Sequence, residues 1–444
     1  MLYKLHTDIL IVGALAYGFI AVAIAGRAFN LIGLCFVVAF VTQMSLMIYF
    51  SREDEIHYSD KLLFTTVLIY SLSLGAFFML VSYYLDGDTF LLSKIDAMFY
   101  YKNSMKFAEL GIVKGFEFIC GEYKYDDWGA LILDGIVLYI IPHKLFLNAI
   151  YMLMGATSAV FLFRIGKHFM PDAYAFSAAL AYSTSSFMVF FNCSFLKESA
   201  FVFFTICTMY YLFLFMTNQS RGAIILVVFF VAIQLFFRPA VSAMEVMSIF
   251  IYYAITQKKN AISIFLYMAV AIVFLAALKD MQEILDSNTQ GGDVEALVAE
   301  TNNSSYSYTF NYFVSLFAAI FGPFAAAFPK LPESPTWVEF YGAGLSYRQF
   351  LIFAFWTGIY MAFKNRVLGL LPIITFVLFE LLITGLVCAS LELRKVILHI
   401  PFMYMMSFYG LYHATPSNRH ISLSTLVQYG FVVAIFFLWN VIRV

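Results

Sequence analysis

Apolar runs close to twenty residues long recur along this chain, with few charges inside them. A helix needs roughly 20 such residues to cross about 30 Å of hydrocarbon. Inside lipid every backbone N–H and C=O must be satisfied within the fold, so such runs point to helices. Composition agrees: the 444 residues are 63% apolar and 12% charged, with a mean hydropathy of +0.86. No water-soluble domain of this length has enough interior to hide that surface. The expected fold is therefore an all-α polytopic membrane protein, one transmembrane domain over residues 1–444.

Candidate spans are 9–26, 29–50, 62–84, 145–163, 171–194, 199–216, 222–237, 240–255, 261–278, 349–363, 367–389, 396–412 and 421–441. This gives about thirteen, within a range of roughly 12 to 14 set by the weaker runs 129–141 and 310–328. The second weak run ends at Gly322-Pro323 and is followed by Pro329, Pro332 and Pro335, which suits a re-entrant segment. The N-terminal stretch Met1 to Asp8 carries one Lys and no small-residue cleavage signature, so the first span is expected to be retained.

Basic residues in short loops set the orientation. With a cytoplasmic N-terminus, the inner loops hold Arg164, Lys167, Arg221, Lys258, Lys259, Lys364, Arg366 and Arg419. Two long polar segments, 85–127 and 279–348, then face the other side as external loops. Lys197, Arg238, Arg394 and Lys395 join them there, against the positive-inside pattern. A cation so placed either snorkels to lipid phosphate or binds an anion, and four on the side of an acidic loop favour the anion.

Several classes are excluded or disfavoured. The net charge of −1 and the scattered basic residues give no footprint for nucleic acid. The five cysteines show no C-x-x-C spacing, so no structural zinc site is expected. No G-x-x-x-x-G-K-[ST] loop is present, which argues against ATP-driven transport.

Chemistry therefore concentrates in a few polar turns. Asp96-Ala-Met-Phe-Tyr100 opens a helical stretch to about Leu110, with Asp96 and Tyr100 on one face. Lying on the membrane surface, that helix would present a carboxylate fit for general-base work, or merely an acid that complements the helix dipole. Lys197-Glu198 stands where one span ends and the next begins, as a solvated turn or as a phosphate contact beside a second carboxylate. Arg238-Pro239 is a bend whose guanidinium fork suits phosphate oxygens. Glu392, Arg394 and Lys395 form a further charged turn, either self-paired or an anion site. Asp134, Glu245 and Glu380 are the acids well inside apolar runs.

In their order and common sidedness these motifs resemble the GT-C superfamily of integral-membrane glycosyltransferases, especially those of bacterial capsule and O-antigen clusters. The D-x-x-x-Y motif of the first external loop matches Asp96 to Tyr100, the acidic turn matches Lys197-Glu198, the R-P turn matches Arg238-Pro239, and the late basic motif matches Arg394 to Pro401. The likeness covers most of residues 60 to 412. It implies a polyprenyl-phosphate-linked sugar donor used at the periplasmic face of the bacterial inner membrane, with a glycan or lipid-linked acceptor. Asp96 would be the base and Glu198 would orient acceptor or sugar. Lys197, Arg238, Arg394 and Lys395 would hold the phosphate, Tyr100 would line the site, and Trp337, Tyr341 or Tyr347 would offer faces for sugar stacking. No cofactor is expected. Ala97 stands where many relatives carry a second acid, which disfavours a divalent metal. Two other readings compete: an O-antigen repeat-unit polymerase, which uses the same cations, and a lipid-linked glycan flippase or transporter, which needs ionisable groups near the midplane.

Overall fold

The computed structural model describes residues 31–52, 56–91, 94–218, 220–256, 344, 351–383, 397–414 and 434. Every regular element among them is helical. In chain order these are α1 Leu31–Arg52, α2 Asp60–Asp86, α3 Lys94–Leu110, α4 Ile112–Glu122, α5 Tyr125–Ile140, α6 Lys144–Gly166, α7 Asp172–Ser183, α8 Ser186–Cys193, α9 Glu198–Asn218, α10 Arg221–Gln234 and α11 Pro239–Thr256. After a gap come α12 Ile352–Lys364, α13 Leu371–Ile383 and α14 Ile400–Ala414.

Four of these helices, α2, α6, α9 and α11, are long and apolar enough to cross a membrane, and a fifth crossing arises if α7 and α8 count as one bent span. The chain is thus a helical, membrane-embedded protein. The count among the described residues falls short of the expected thirteen, for identifiable reasons. The runs 9–26, 261–278 and 310–328, and 421–441 apart from residue 434, lie outside the described residues. Arg221–Gln234 and Ile352–Lys364 are 14 and 13 residues long, short of a full crossing. The expected span 171–194 is broken between Ser183 and Ser186, where its halves meet at 51°.

That break has a local cause. Ser183 Oγ and Thr184 Oγ1 turn back onto the carbonyls of Ala179 and Leu180, each at 2.7 Å, and Ser185 Oγ donates to Tyr182 O. Hydroxyls that bond back to the preceding turn compete with the helix ladder and bend it.

Contacts between helix ends fix how the spans alternate. Arg164 near the end of α6 pairs with Asp60 at the start of α2 at 2.8 Å, and Asn148 near the start of α6 reaches Met79 near the end of α2, so the two run antiparallel. Gly75 makes the crossing tight, since a Cβ there would stand 2.8 Å from Met152 Cε. Lys167 pairs with Asp172 at 3.0 Å, placing the start of α7 at the same end as Asp60. Tyr210, toward the end of α9, accepts from Arg164 at 3.2 Å, so α9 runs parallel to α6. One end of the bundle thus gathers Asp60, Arg164, Lys167 and Asp172. The other carries Asp86, the three helices α3–α5, and Lys197.

The core is a continuous apolar cluster dominated by Phe, Leu and Met, with Phe176, Phe187, Phe190 and Phe191 fully buried at its centre. α3, α4 and α5 pack on one another at one end of it. Asp86 is followed by Gly87, whose φ of 72° supplies the left-handed cap that ends α2 and turns the chain into this subassembly.

Candidate functional site

The site is built where α3, α5 and the turn before α9 converge. Lys94–Leu110 is helical, so Asp96 and Tyr100 stand one turn apart. One face of it, with Ala97, Tyr100, Ser104 and Phe107, is buried where the helix packs on α5, and Ser104 Oγ donates to Leu131 O at 3.2 Å. Exposed apolar side chains stand on both helices, Phe99 and Leu110 on α3 and Ile112, Val113 and Phe116 on α4. Gly111, at φ 78°, allows the sharp change of direction between the two helices.

The turn Ser194–Lys197 is held open by Phe195, a non-glycine residue at φ 57°. Such a conformation persists only where the surroundings enforce it. Here they do: Phe195 is fully buried, with its ring 5.4 Å from Phe90 and 5.5 Å from Tyr101. Anchoring this turn aims Lys197 at α5. Lys197 Nζ lies 2.6 Å from Asp127 Oδ1 and donates to Asp126 O at 3.3 Å. The Tyr100 hydroxyl donates to the same Asp127 oxygen at 2.7 Å, and its ring centre is 5.9 Å from Lys197 Nζ.

Two of the expected binding residues, Tyr100 and Lys197, therefore meet on Asp127, a carboxylate that was not among the expected site residues. Its partner lies 70 residues along the chain, a pairing without a sequence signature. Glu198 is almost fully buried at the first turn of α9. It and Tyr100 stand within Coulombic reach of Tyr151, whose hydroxyl donates to the buried Asp134 at 2.5 Å. Asp96 is half-buried one turn before Tyr100. Arg238 lies over the ring of Phe201, 5.6 Å from its centre, and Phe201 is one turn beyond Lys197. Arg394 and Lys395, and with them Trp337, Tyr341, Tyr347 and most of the segment 279–348, lie outside the described residues.

Beside this polar cluster opens an apolar cavity of about 440 Å³ between α4, α5, α9 and α10. Phe116, Trp128, Ile132, Phe204, Phe236 and Phe237 line it. Its rim is tied down by Gly129, which donates to Phe236 O at 2.8 Å and approaches so closely that a Cβ would stand 2.3 Å from Phe237 Cδ2. Trp128 stacks on Phe236 at 6.2 Å. Trp128 follows Asp127 directly, and Phe237 precedes Arg238, so the cavity wall and the charged groups share the same two turns.

The arrangement joins a dry slot fit for a hydrocarbon chain to cations and carboxylates fit for a polar headgroup. Among the described residues no three His, Cys, Asp or Glu side chains cluster as metal ligands would. Glu380, the acid that a transporter would place in a central cavity, is buried and pairs with His399 at the α13–α14 junction. In comparison with known proteins, no family profile matches the chain and no curated protein sequence matches it.

Proposed function

We propose that the chain is a membrane glycosyltransferase of GT-C type that takes its sugar from a polyprenyl-phosphate donor at the periplasmic face of the bacterial inner membrane, to build or modify a surface polysaccharide. The observation that carries this reading is the apolar cavity whose walls, Trp128 and Phe237, are chain neighbours of Asp127 and Arg238. A polyprenyl phosphate combines a long hydrocarbon tail with an anionic head, and this site offers a surface for each.

In the proposed reaction an acceptor hydroxyl attacks the anomeric carbon, its proton passes to a carboxylate, and the bond to the donor phosphate breaks. Charge grows on the leaving phosphate, so cations fixed beforehand around it lower the barrier. Lys197 and Arg238 fill that role. Asp127, already engaged by two donors, holds Lys197 and the Tyr100 hydroxyl in place. The base is assigned to Asp96, one turn from Tyr100 and half-buried, and Glu198 orients the acceptor. The roles of Arg394 and Lys395, the thirteen-span architecture and the single transmembrane domain rest on the sequence pattern.

Purified protein incubated with defined lipid-linked sugars and an acceptor, followed by mass spectrometry of the products, tests the reading. Addition of one sugar is expected. A ladder of products would assign repeat-unit polymerisation to the same cations, and the absence of transfer from every polyprenyl-phosphate donor would refute both.

A further inference from the structure

Asp127 and Asp134 stand two turns apart on α5 and so share one of its faces. Their settings differ. Asp127 takes the Tyr100 hydroxyl and the Lys197 ammonium. Asp134 is fully buried; the Tyr151 hydroxyl of α6 donates to its Oδ1 at 2.5 Å, and its Oδ2 has no hydrogen-bond partner among the described residues.

The charged groups of the packed elements leave Asp134 to Tyr151. Lys197, before α9, is engaged by Asp127, and Arg238 lies over the Phe201 ring. Lys144, at the start of α6, lies over the Phe90 ring at 4.9 Å. Tyr100 of α3 and Glu198 of α9 act on Tyr151. Asp96 of α3 is half-buried, while Lys102, Lys106 and Glu109 of α3 and Lys114, Glu117 and Glu122 of α4 are exposed. A carboxyl with one donor and one dry oxygen suits its neutral form, because the ionised form loses its hydration without a compensating charge. α5 is outside the four crossing helices; burial raises Asp134 from the ordinary carboxylate range to about 7, against a lowering by the Tyr151 bond.

We propose that Asp134 and Tyr151 form a proton-operated latch between α5 and α6: with the carboxyl neutral α5 stays docked, and with it ionised the buried charge draws in water and α5 loosens. Asp127 and the cavity-rim residues Trp128 and Gly129 lie on the same helix, so the latch governs how firmly the polar cluster is held. The folded chain keeps this proton to higher pH than the unfolded chain does. The contribution of the pair is therefore complete below the ordinary carboxylate range, falls as pH rises from there, and levels off above about 7. The inference does not depend on the proposed glycosyl transfer.

The test combines two readings on the purified full chain in detergent between roughly pH 5 and 9. Infrared difference spectra should show a protonated-carboxyl band that titrates near neutrality and is absent from Asp134→Asn. Hydrogen exchange in α5, corrected for the intrinsic pH dependence of exchange, should rise roughly threefold or more across that range in the wild-type chain and stay flat in Asp134→Asn. Where that variant fails to fold, Tyr151→Phe keeps the acid and removes its donor, and should move the titration of the band to higher pH. A carboxyl that stays ionised, or stays protonated, across the whole range would overturn the latch. So would exchange in α5 that follows pH equally in wild type and Asp134→Asn, or a band whose titration Tyr151→Phe leaves unmoved.

Discussion

Asp127 is the residue on which the polar cluster turns, because it takes the Tyr100 hydroxyl and the Lys197 ammonium on one oxygen. The Lys197 side chain is 10% exposed and that of Asp127 is 28% exposed, so the pair is screened less than a surface pair and desolvated less than a core pair. Asp127→Asn is expected to cost about 1–2 kcal/mol of stability and to lower transfer far more than it lowers folded yield, read by product formation per folded molecule. Tyr151→Phe makes a contrasting case. It leaves the buried Asp134 without the hydroxyl donor it now has, at about 1–3 kcal/mol, and a lowered unfolding midpoint checks it. Lys197 and Tyr100 were legible in the sequence because a charge or phenol beside a span end stands out against an apolar background. Asp127 was not legible as their partner, since the pairing depends on how α5 docks across the turn before α9. Asp134 and Tyr151 were hidden for a related reason: an ion-and-phenol pair inside apolar runs looks like two isolated exceptions until packing joins them.

At the scale of elements, close helix crossings rest on glycine. Gly358 of α12 and Gly410 of α14 face each other, and a Cβ on either would stand 2.0 Å from a backbone oxygen of the other helix. Backbone oxygens cannot swing aside, so Gly410→Val is expected to separate α12 from α14 and to reduce the monodisperse folded fraction in size-exclusion chromatography. Gly129→Val acts at the site itself, by pushing α5 off Phe237 and moving Asp127 with it; transfer should fall while α12 and α14 stay packed. The spans Asp60–Asp86, Lys144–Gly166, Glu198–Asn218 and Pro239–Thr256 were legible because a long apolar run has one stable form in lipid. The broken pair α7–α8 was not. Its Ser183-Thr184-Ser185-Ser186 run is short enough to pass as part of a span, and its bend comes from hydroxyls choosing carbonyls one turn back. A backbone contact from Gly344 to Ser186 Oγ, at 2.8 Å, shows that the break also receives a distant segment.

Across the whole molecule, antiparallel packing sorts the charges by end: Asp60, Arg164, Lys167 and Asp172 at one, Asp127 and Lys197 at the other. The sidedness deduced from loop charges required this separation, because α6 must return the chain to the end at which α2 began. Exposed positions on the two ends, Lys124 and Arg221, allow a check in membrane vesicles. Single cysteines placed there should react with a membrane-impermeant thiol reagent from opposite sides, and labelling of both from one side would contradict the topology. The central claim, an anionic prenyl lipid with its tail in the cavity and its head among Lys197, Asp127 and Arg238, is most directly tested by photo-crosslinking with a polyprenyl phosphate that carries its reactive group near the head end of the chain. The account predicts crosslinks to Trp128, Phe236 or Phe237, lost on competition with unlabelled polyprenyl phosphate and weakened by Lys197→Met. Crosslinks confined to other helices, or equal competition by an uncharged polyprenol, would contradict it.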